Sequence, residues 1–217
     1  MTGSSIGISR IFCAKLSDLS GQQWIVENKG GSGGNVGMEA LMQSPPDGYT
    51  LGLGGIASHA ISPTLYAKLP FDAAKDFTGI AMLWSVPNFL MTRLDFPANT
   101  IPELIALAKA NPGKYSFASS GAGTSPHLTG EMFKQMAGVN ILHVPYKGSA
   151  PAMTDLIGGQ LSFNVDAVSS ALSFVQSGRV RAIAVTSAQR LPALPDVPTI
   201  AETWIPGFDA GTFNGLL

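Results

Sequence analysis

Short apolar runs alternate with amphipathic runs along this chain, and this alternation is typical of strands that are each followed by a helix. Capping-box spacings at Thr100/Glu103 and Thr199/Glu202 mark two helix starts. The pattern predicts strands at 24–26, 49–53, 80–84, 89–92, 115–118, 141–144, 161–165 and 181–185. It predicts helices at 8–19 and 36–42, and others from positions 101, 126, 150 and 168. The fold class is therefore α/β with parallel strands.

The order of these elements also predicts where the chain divides. One series of strands and helices ends near Pro87, and a second series starts after Pro97. The extended stretch from Phe208 onward would return the chain to the first series. We therefore predict two lobes, with lobe one formed by residues 1–87 and 209–217 and lobe two by residues 88–208.

Composition narrows the possible partners. Charged residues make up 12% of the chain and the net charge is −1, with no cluster of Lys or Arg. Phosphate contacts need clustered cations, so nucleic acid is excluded as a partner. No apolar stretch approaches the roughly 20 residues that span a bilayer, which excludes direct membrane insertion. The first residues show no basic or apolar signal-peptide region, which on its own predicts a cytoplasmic chain.

The best candidate for a binding site is the turn at 119–126, Ser-Ser-Gly-Ala-Gly-Thr-Ser-Pro, which lies between a predicted strand and a predicted helix. Ser125 is a suitable N-cap, and Pro126 is a suitable first helical residue. A helix N-terminus offers unpaired N–H donors and a partial positive charge, so this turn can hold an anion. The alternative is a well-capped helix start that binds nothing.

A second turn, at 146–151, has the same setting. Ser149 can cap the next helix, and Lys147 adds a cation. Successive strand-to-helix turns of a parallel sheet open at the same edge, so two adjacent turns suit a small carboxylate. Asp166 follows the next strand. It could accept a hydrogen bond from a ligand hydroxyl or amine, or it could cap the helix that begins at 168.

Other chemistries lack their motifs. Val36 stands where a dinucleotide-binding turn needs its third glycine. Ser125 with His127 would suit a small α/β hydrolase, but the segment lacks the final glycine of a nucleophile elbow. His59, His127 and His143 are too scattered for the common zinc motifs. We therefore predict no catalytic residue, no metal site and no cofactor.

Several segments resemble those of one receptor family, in the same order along the chain. They are 26–35 (VENKGGSGGN), 46–51 (PDGYTL), 118–127 (ASSGAGTSPH), 143–149 (HVPYKGS), 184–187 (AVTS) and 194–199 (LPDVPT). Together they are similar to the Bug family, the TctC-like extracytoplasmic receptors of tripartite tricarboxylate transporters.

The resemblance implies a type II periplasmic-binding-protein (Venus-flytrap) fold, with two lobes joined by crossing strands. It implies that a small carboxylate (a dicarboxylate, amino acid, tricarboxylate or aromatic acid) binds in the cleft and is delivered to a membrane permease. It also implies a periplasmic location. The implied ligand-binding residues are Gly3, Ser4, Ala57, Ser58, His59, Ser119, Ser120, Gly121, Gly123, Thr124, Ser125, His127, Tyr146, Lys147, Gly148, Ser149 and Asp166.

Two expectations accompany this resemblance. Family members extend beyond both ends of this sequence, so we expect lobe one to be incomplete here, with lower solubility and weaker ligand binding than a longer chain. The same fold could instead report its ligand to a membrane signalling protein. Transport and sensing use the same ligand contacts, so both functions remain open.

Overall fold

The computed structural model describes residues 3–217, with side chains from residue 7 onward. The chain divides into two compact units. The first unit runs up to Leu83 and includes Asn214–Leu217, and the second is Trp84–Phe213. The lobe boundaries given above stay a prediction, because these units are defined by compactness alone.

The helices and strands are numbered in chain order. The helices are α1 (Gly3–Ser20), α2 (Asn35–Met42), α3 (Ser62–Leu65), α4 (Ile101–Ala110), α5 (Ser125–Ala137), α6 (Ser149–Ile157), α7 (Val168–Gln176) and α8 (Ile200–Thr203). The strands are β1 (Leu53–Gly55), β2 (Ala81–Thr92), β3 (Ser116–Ser119), β4 (Leu142–Pro145), β5 (Phe163–Ala167), β6 (Arg181–Val185) and β7 (Gly211–Leu216). A 3₁₀ turn (Ser32–Gly34) and a π-helical turn (Ala57–Ile61) complete the list.

The first unit contains the largest errors of the sequence-based assignment. The predicted strand at 24–26 is absent from the described structure, and Ile25 is 77% exposed. Trp24 is instead hydrogen-bonded to the last turn of α1. Its backbone N–H donates to Ser17 Oγ, and its Nε1 donates to Ser20 Oγ. An apolar triplet forms a strand only if another strand pairs with it. The predicted strand at 49–53 is likewise displaced to β1, which pairs antiparallel with β7.

β2 is a single strand of 12 residues, where the sequence predicted two strands on either side of Pro87. Pairing with β5 begins at Asn88 and pairing with β6 begins at Phe89. The missing N–H of Pro87 therefore removes no hydrogen bond from these two ladders, and the strand continues through the proline.

In the second unit the sheet is mixed. β3 pairs in parallel with β4 and with β5, as the alternating pattern predicted. β2 pairs antiparallel with both β5 and β6, which corrects the expectation of a wholly parallel sheet. This mixed pattern still places the carboxyl ends of β3, β4 and β5 at one edge.

Two hydrophobic clusters cover the two faces of this sheet. On β2, Leu90 belongs to the first cluster, while Phe89 and Met91 belong to the second, because successive strand residues point to opposite faces. The first cluster includes Phe133 of α5, and the second includes Met153 of α6. None of the helices in the described part of the chain is long and apolar enough to cross a membrane.

Candidate functional site

The turns that follow β3 and β4 are hydrogen-bonded to each other. The backbone N–H of Tyr146 donates to the Ser119 carbonyl at 3.1 Å, and the N–H of Gly148 donates to the Ser120 carbonyl at 3.1 Å. The structure therefore brings the two turns that the sequence singled out side by side at the carboxyl edge of the sheet. We call residues Ser119 to Ser125 the anion turn.

The anion turn has a conformation that only glycine adopts easily at its centre. Gly121 has a φ of 139°, and a Cβ added there would lie 3.2 Å from the Tyr146 carbonyl oxygen. The Thr124 hydroxyl donates to the Gly121 carbonyl at 2.6 Å, and the Gly121 N–H donates to Ser119 Oγ at 3.2 Å. The turn is thus shaped by its own backbone and hydroxyl groups.

The start of α5 lies one residue earlier than predicted. Thr124 is the N-cap and Ser125 is the first helical residue, although the Thr124 side chain does not cap the helix. The backbone N–H groups of Ala122, Ser125 and His127 have no hydrogen-bond acceptor in the part of the chain that the structure describes. These donors, together with the partial charge of a helix of 13 residues, can hold an anion.

Ser125 has a structural role that the sequence did not reveal. Its buried hydroxyl donates to the Gly211 carbonyl at 2.8 Å and accepts from Asn88 Nδ2 at 3.1 Å. Asn88 Nδ2 also donates to Thr129 Oγ1 at 3.0 Å. Asn88 is the missed residue of this region, and an asparagine within the apolar stretch from Val86 to Met91 was its only signal. Neither hydrogen bond of the Ser125 hydroxyl involves His127.

Asp166 lies at the end of β5 and is 1% exposed. Its Oδ1 accepts from Ser149 Oγ at 2.9 Å and from the Ala167 N–H at 2.8 Å. Burial raises the pKa of this carboxyl, and the two hydrogen bonds partly oppose the shift. Its Oδ2 is buried and has no hydrogen-bond partner among the described residues. Asp166 does not cap α7, whose N-cap is Ala167.

The second turn, at 146–151, leaves fewer side-chain groups available to a ligand than the sequence suggested. The Tyr146 hydroxyl donates to Asp155 Oδ2 at 2.6 Å, and burial followed by this bond raises the Tyr146 pKa to about 12. Ser149 is the first residue of α6 and Gly148 is its N-cap, so the predicted capping by the Ser149 side chain is wrong. Lys147 is exposed.

His127 and His143 are 16 residues apart in sequence, yet their rings are stacked, with centroids 4.1 Å apart and planes at 22°. Ligand atoms of these two residues and of Glu131 all lie within 4.8 Å of one another. However, His127 Nδ1 accepts from the Gly123 N–H at 3.1 Å, and both Glu131 oxygens lie within 2.9 Å of Lys134 Nζ. A metal ion would have to displace these contacts. The absence of a metal site therefore stays a prediction.

The remaining candidate residues belong to the first unit. Ala57, Ser58 and His59 form part of the π-helical turn after β1. Ser58 Oγ and His59 Nδ1 lie 2.9 Å apart, and burial lowers the His59 pKa. Gly3 and Ser4 begin α1, where the structure describes the backbone only.

Comparison with known proteins identifies the family. The profile described as "Tripartite tricarboxylate transporter family receptor" matches residues 8–217. The chain belongs to this family. A "UPF0065 protein in tcbD-tcbE intergenic region" from Pseudomonas sp. (strain P51) is 39% identical over 215 residues, which are 99% of this chain and 64% of that protein. "Protein BugT" from Bordetella pertussis is 35% identical over 216 residues, 99% of this chain and 66% of BugT. The chain thus spans about two thirds of the length of these curated relatives.

Solved structures of similar proteins have the same fold. Rpa4515 of R. palustris, solved with adipate, superposes with a TM-score of 0.94 at 33% identity, covering 100% of this chain and 73% of Rpa4515. MatC from Rhodopseudomonas palustris, solved with bound malate, gives a TM-score of 0.88 at 30% identity, covering 97% of this chain and 71% of MatC. The periplasmic binding protein BugD superposes with a TM-score of 0.89 at 38% identity, covering 99% of this chain and 71% of BugD. The predicted type II periplasmic-binding-protein fold and the resemblance to Bug receptors are therefore confirmed. The family is one of substrate-binding receptors.

Proposed function

We propose that this tripartite tricarboxylate transporter family receptor binds a small carboxylate at the anion turn, outside the inner membrane, and delivers it to the permease of the transporter. The observation that carries the proposal is the set of unpaired N–H groups of Ala122, Ser125 and His127 at the start of α5. Relatives that share this fold were solved with adipate and with malate, both of which are carboxylates. We assign the two compact units to the two lobes of the receptor.

The contacts of Asp166 refine where the carboxylate binds. Its carboxyl group already accepts from Ser149 at the start of α6. A ligand carboxylate at the start of α6 would be repelled by the negative charge of Asp166, or would compete with Asp166 for the Ser149 hydroxyl. We therefore assign the ligand carboxylate to the α5 turn, and we assign Asp166 to contact a hydroxyl or amine of the ligand.

The proposal requires no catalytic residue. The Ser125 hydroxyl donates to the Gly211 carbonyl and accepts from Asn88 Nδ2. His127 Nδ1 accepts from the Gly123 N–H. A serine nucleophile needs a base within hydrogen-bond reach, and these two side chains instead bond elsewhere. These contacts favour a function in binding over catalysis by Ser125 and His127.

Isothermal titration calorimetry of the purified protein tests this function, with adipate, malate, a tricarboxylate, an aromatic acid and several amino acids as ligands. The matched esters, which lack the carboxylate charge, serve as controls. We expect at least one acid to bind and its ester not to bind. If no acid in the panel produces heat at protein concentrations that suit micromolar affinity, the receptor assignment is wrong.

A pair of variants at Ala122 tests the location of the site. Ala122 is exposed at the tip of the turn, so substitution leaves the core intact. Ala122→Asp places a negative charge beside the N–H donors and should weaken carboxylate binding about tenfold or more, on the order of 1.4 kcal/mol. The neutral control Ala122→Asn should change the affinity less than about threefold. Equal affinities of the two variants would place the carboxylate elsewhere.

A further inference from the structure

Three aromatic rings are stacked behind the anion turn. His143 on β4 stacks on Phe117 of β3, with centroids 4.7 Å apart and planes at 27°. His127 on α5 stacks on His143 at 4.1 Å. His143 therefore lies between the other two rings, and the row of rings connects the helix to the sheet. Three aromatic planes in van der Waals contact fix the positions of the ring nitrogens.

Each histidine in this row also forms a hydrogen bond with the anion turn. His127 Nδ1 accepts from the Gly123 N–H at 3.1 Å. His143 Nε2 lies 2.7 Å from Ser119 Oγ, and that oxygen also accepts from the Gly121 N–H at 3.2 Å. The first residue of the turn and its second glycine are thus held by two side chains that come from outside it.

The Gly123 bond fixes the protonation state of His127. A ring nitrogen that accepts from an N–H group carries no proton, so a neutral His127 has its proton on Nε2. The charged groups near the ring pair are Glu131 and Lys134, both on α5, and these form an ion pair at 2.8 Å. β3, which contributes Phe117, has no titratable side chain.

We propose that His127 and His143 are positioning residues that hold the anion turn in its binding conformation, and that His127 does so only while its Nδ1 is unprotonated. The ligand-binding part of this inference rests on the proposed function. A proton on Nδ1 would replace the acceptor by a donor that faces the Gly123 N–H, so the hydrogen bond would be lost. Burial lowers the pKa of both rings, and for His143, with His127 as the second cause, it does so to about 4. Both rings are therefore neutral at pH 7.

Two substitutions of His127 separate the acceptor from the ring. His127→Asn keeps an oxygen acceptor near the position of Nδ1 but removes the stacked ring. His127→Phe keeps a stacked ring but removes the acceptor. Glu131→Gln serves as a control, because it removes the nearby charge and leaves both hydrogen bonds in place. Thermal unfolding of each variant verifies that the second unit is folded.

Hydrogen exchange of the Gly123 amide, followed by NMR without ligand, is the primary measurement. At pH 7 we expect exchange roughly tenfold faster in His127→Phe than in the wild type, with His127→Asn and Glu131→Gln close to the wild type. After correction for intrinsic exchange, acidification should reduce protection in the wild type but not in His127→Asn. Equal protection in the Phe and Asn variants would overturn the inference. If His127→Phe does not fold, hydrogen exchange of the Gly121 amide is compared between His143→Phe and His143→Gln. We expect faster exchange in His143→Phe, because phenylalanine cannot hydrogen-bond to Ser119.

Calorimetry with the tightest acid of the panel supplies the second measurement. We expect His127→Phe to bind roughly tenfold more weakly than the wild type, and His127→Asn to restore most of that loss. If the stacked rings acted only by stabilising the fold, His127→Phe, which keeps a ring, would bind the acid more tightly than His127→Asn. If the wild type binds no acid, the proposed function fails, and the exchange measurement still decides whether the two histidines position the turn.

Discussion

At the scale of single residues, the hydroxyl groups of the candidate site serve mainly as internal hydrogen-bond donors. Thr124 donates to Gly121, Ser125 donates to Gly211, and Ser149 donates to Asp166. A hydroxyl group has one proton to donate, so these three groups cannot also donate to a ligand without losing a protein contact. In this structure these three hydroxyl groups shape the turns, whereas the backbone N–H groups at the start of α5 stay available to a carboxylate.

Ser125→Ala should destabilise the protein although it removes a single oxygen. It leaves the Gly211 carbonyl without its Ser125 donor and Asn88 Nδ2 without one of its two acceptors, in a buried site. We expect a loss of about 1–3 kcal/mol in the free energy of unfolding, measured with urea. Ser120→Ala is the control, because among the described residues the Ser120 hydroxyl has only a 3.5 Å contact with Thr124 Oγ1. Equal losses in the two variants would contradict the structural role of Ser125.

At the scale of elements, the anion turn depends on the backbone of Gly121. Gly121→Ala forces a side chain into a φ of 139° and places Cβ 3.2 Å from the Tyr146 carbonyl. Gly138→Ala is a matched control at the other end of α5, where φ is 60° and the space is open. We expect the control to cost about 1 kcal/mol and Gly121→Ala to cost at least about 1 kcal/mol more, measured with urea. A smaller loss for Gly121→Ala would mean that the turn adapts without strain.

Elements with local signals could be predicted from the sequence, and elements that depend on distant partners could not. The capping box at Thr199 is present, with both of its hydrogen bonds. The strand predicted at 24–26 does not form, because an apolar triplet becomes a strand only when another strand pairs with it. The contact between His127 and His143 was also missed. It arises because α5 packs across β4, and no spacing along the chain encodes that packing.

At the scale of the whole molecule, its histidines should make the protein sensitive to acid. Burial lowers the pKa of His59 and His127, and lowers that of His143 from 6.5 to about 4. Between these two pH values the unfolded chain binds a proton at position 143 more readily than the folded chain does. The free energy of unfolding therefore decreases as the pH falls from 6.5 towards 4.

His143→Gln should reduce this dependence, since glutamine does not titrate but can still hydrogen-bond to Ser119. The measurement is the free energy of unfolding in urea at several pH values between 7 and 4.5 for the wild type and the variant. Asp166, whose raised pKa acts in the opposite direction, is present in both proteins and cancels in the comparison. Parallel pH profiles would show that His143 makes no contribution.

The separation between the sheet edge and the two hydrophobic clusters has an evolutionary consequence. Phe89, Leu90 and Met91 hold the sheet together from both faces, whereas Ala122 and Lys147 are exposed on the turns that follow β3 and β4. Substitutions at these two exposed positions can therefore accumulate without eroding the fold. If the proposed function holds, a lineage built on this scaffold can exchange one nutrient acid for another through a few tip substitutions, while the buried framework stays unchanged.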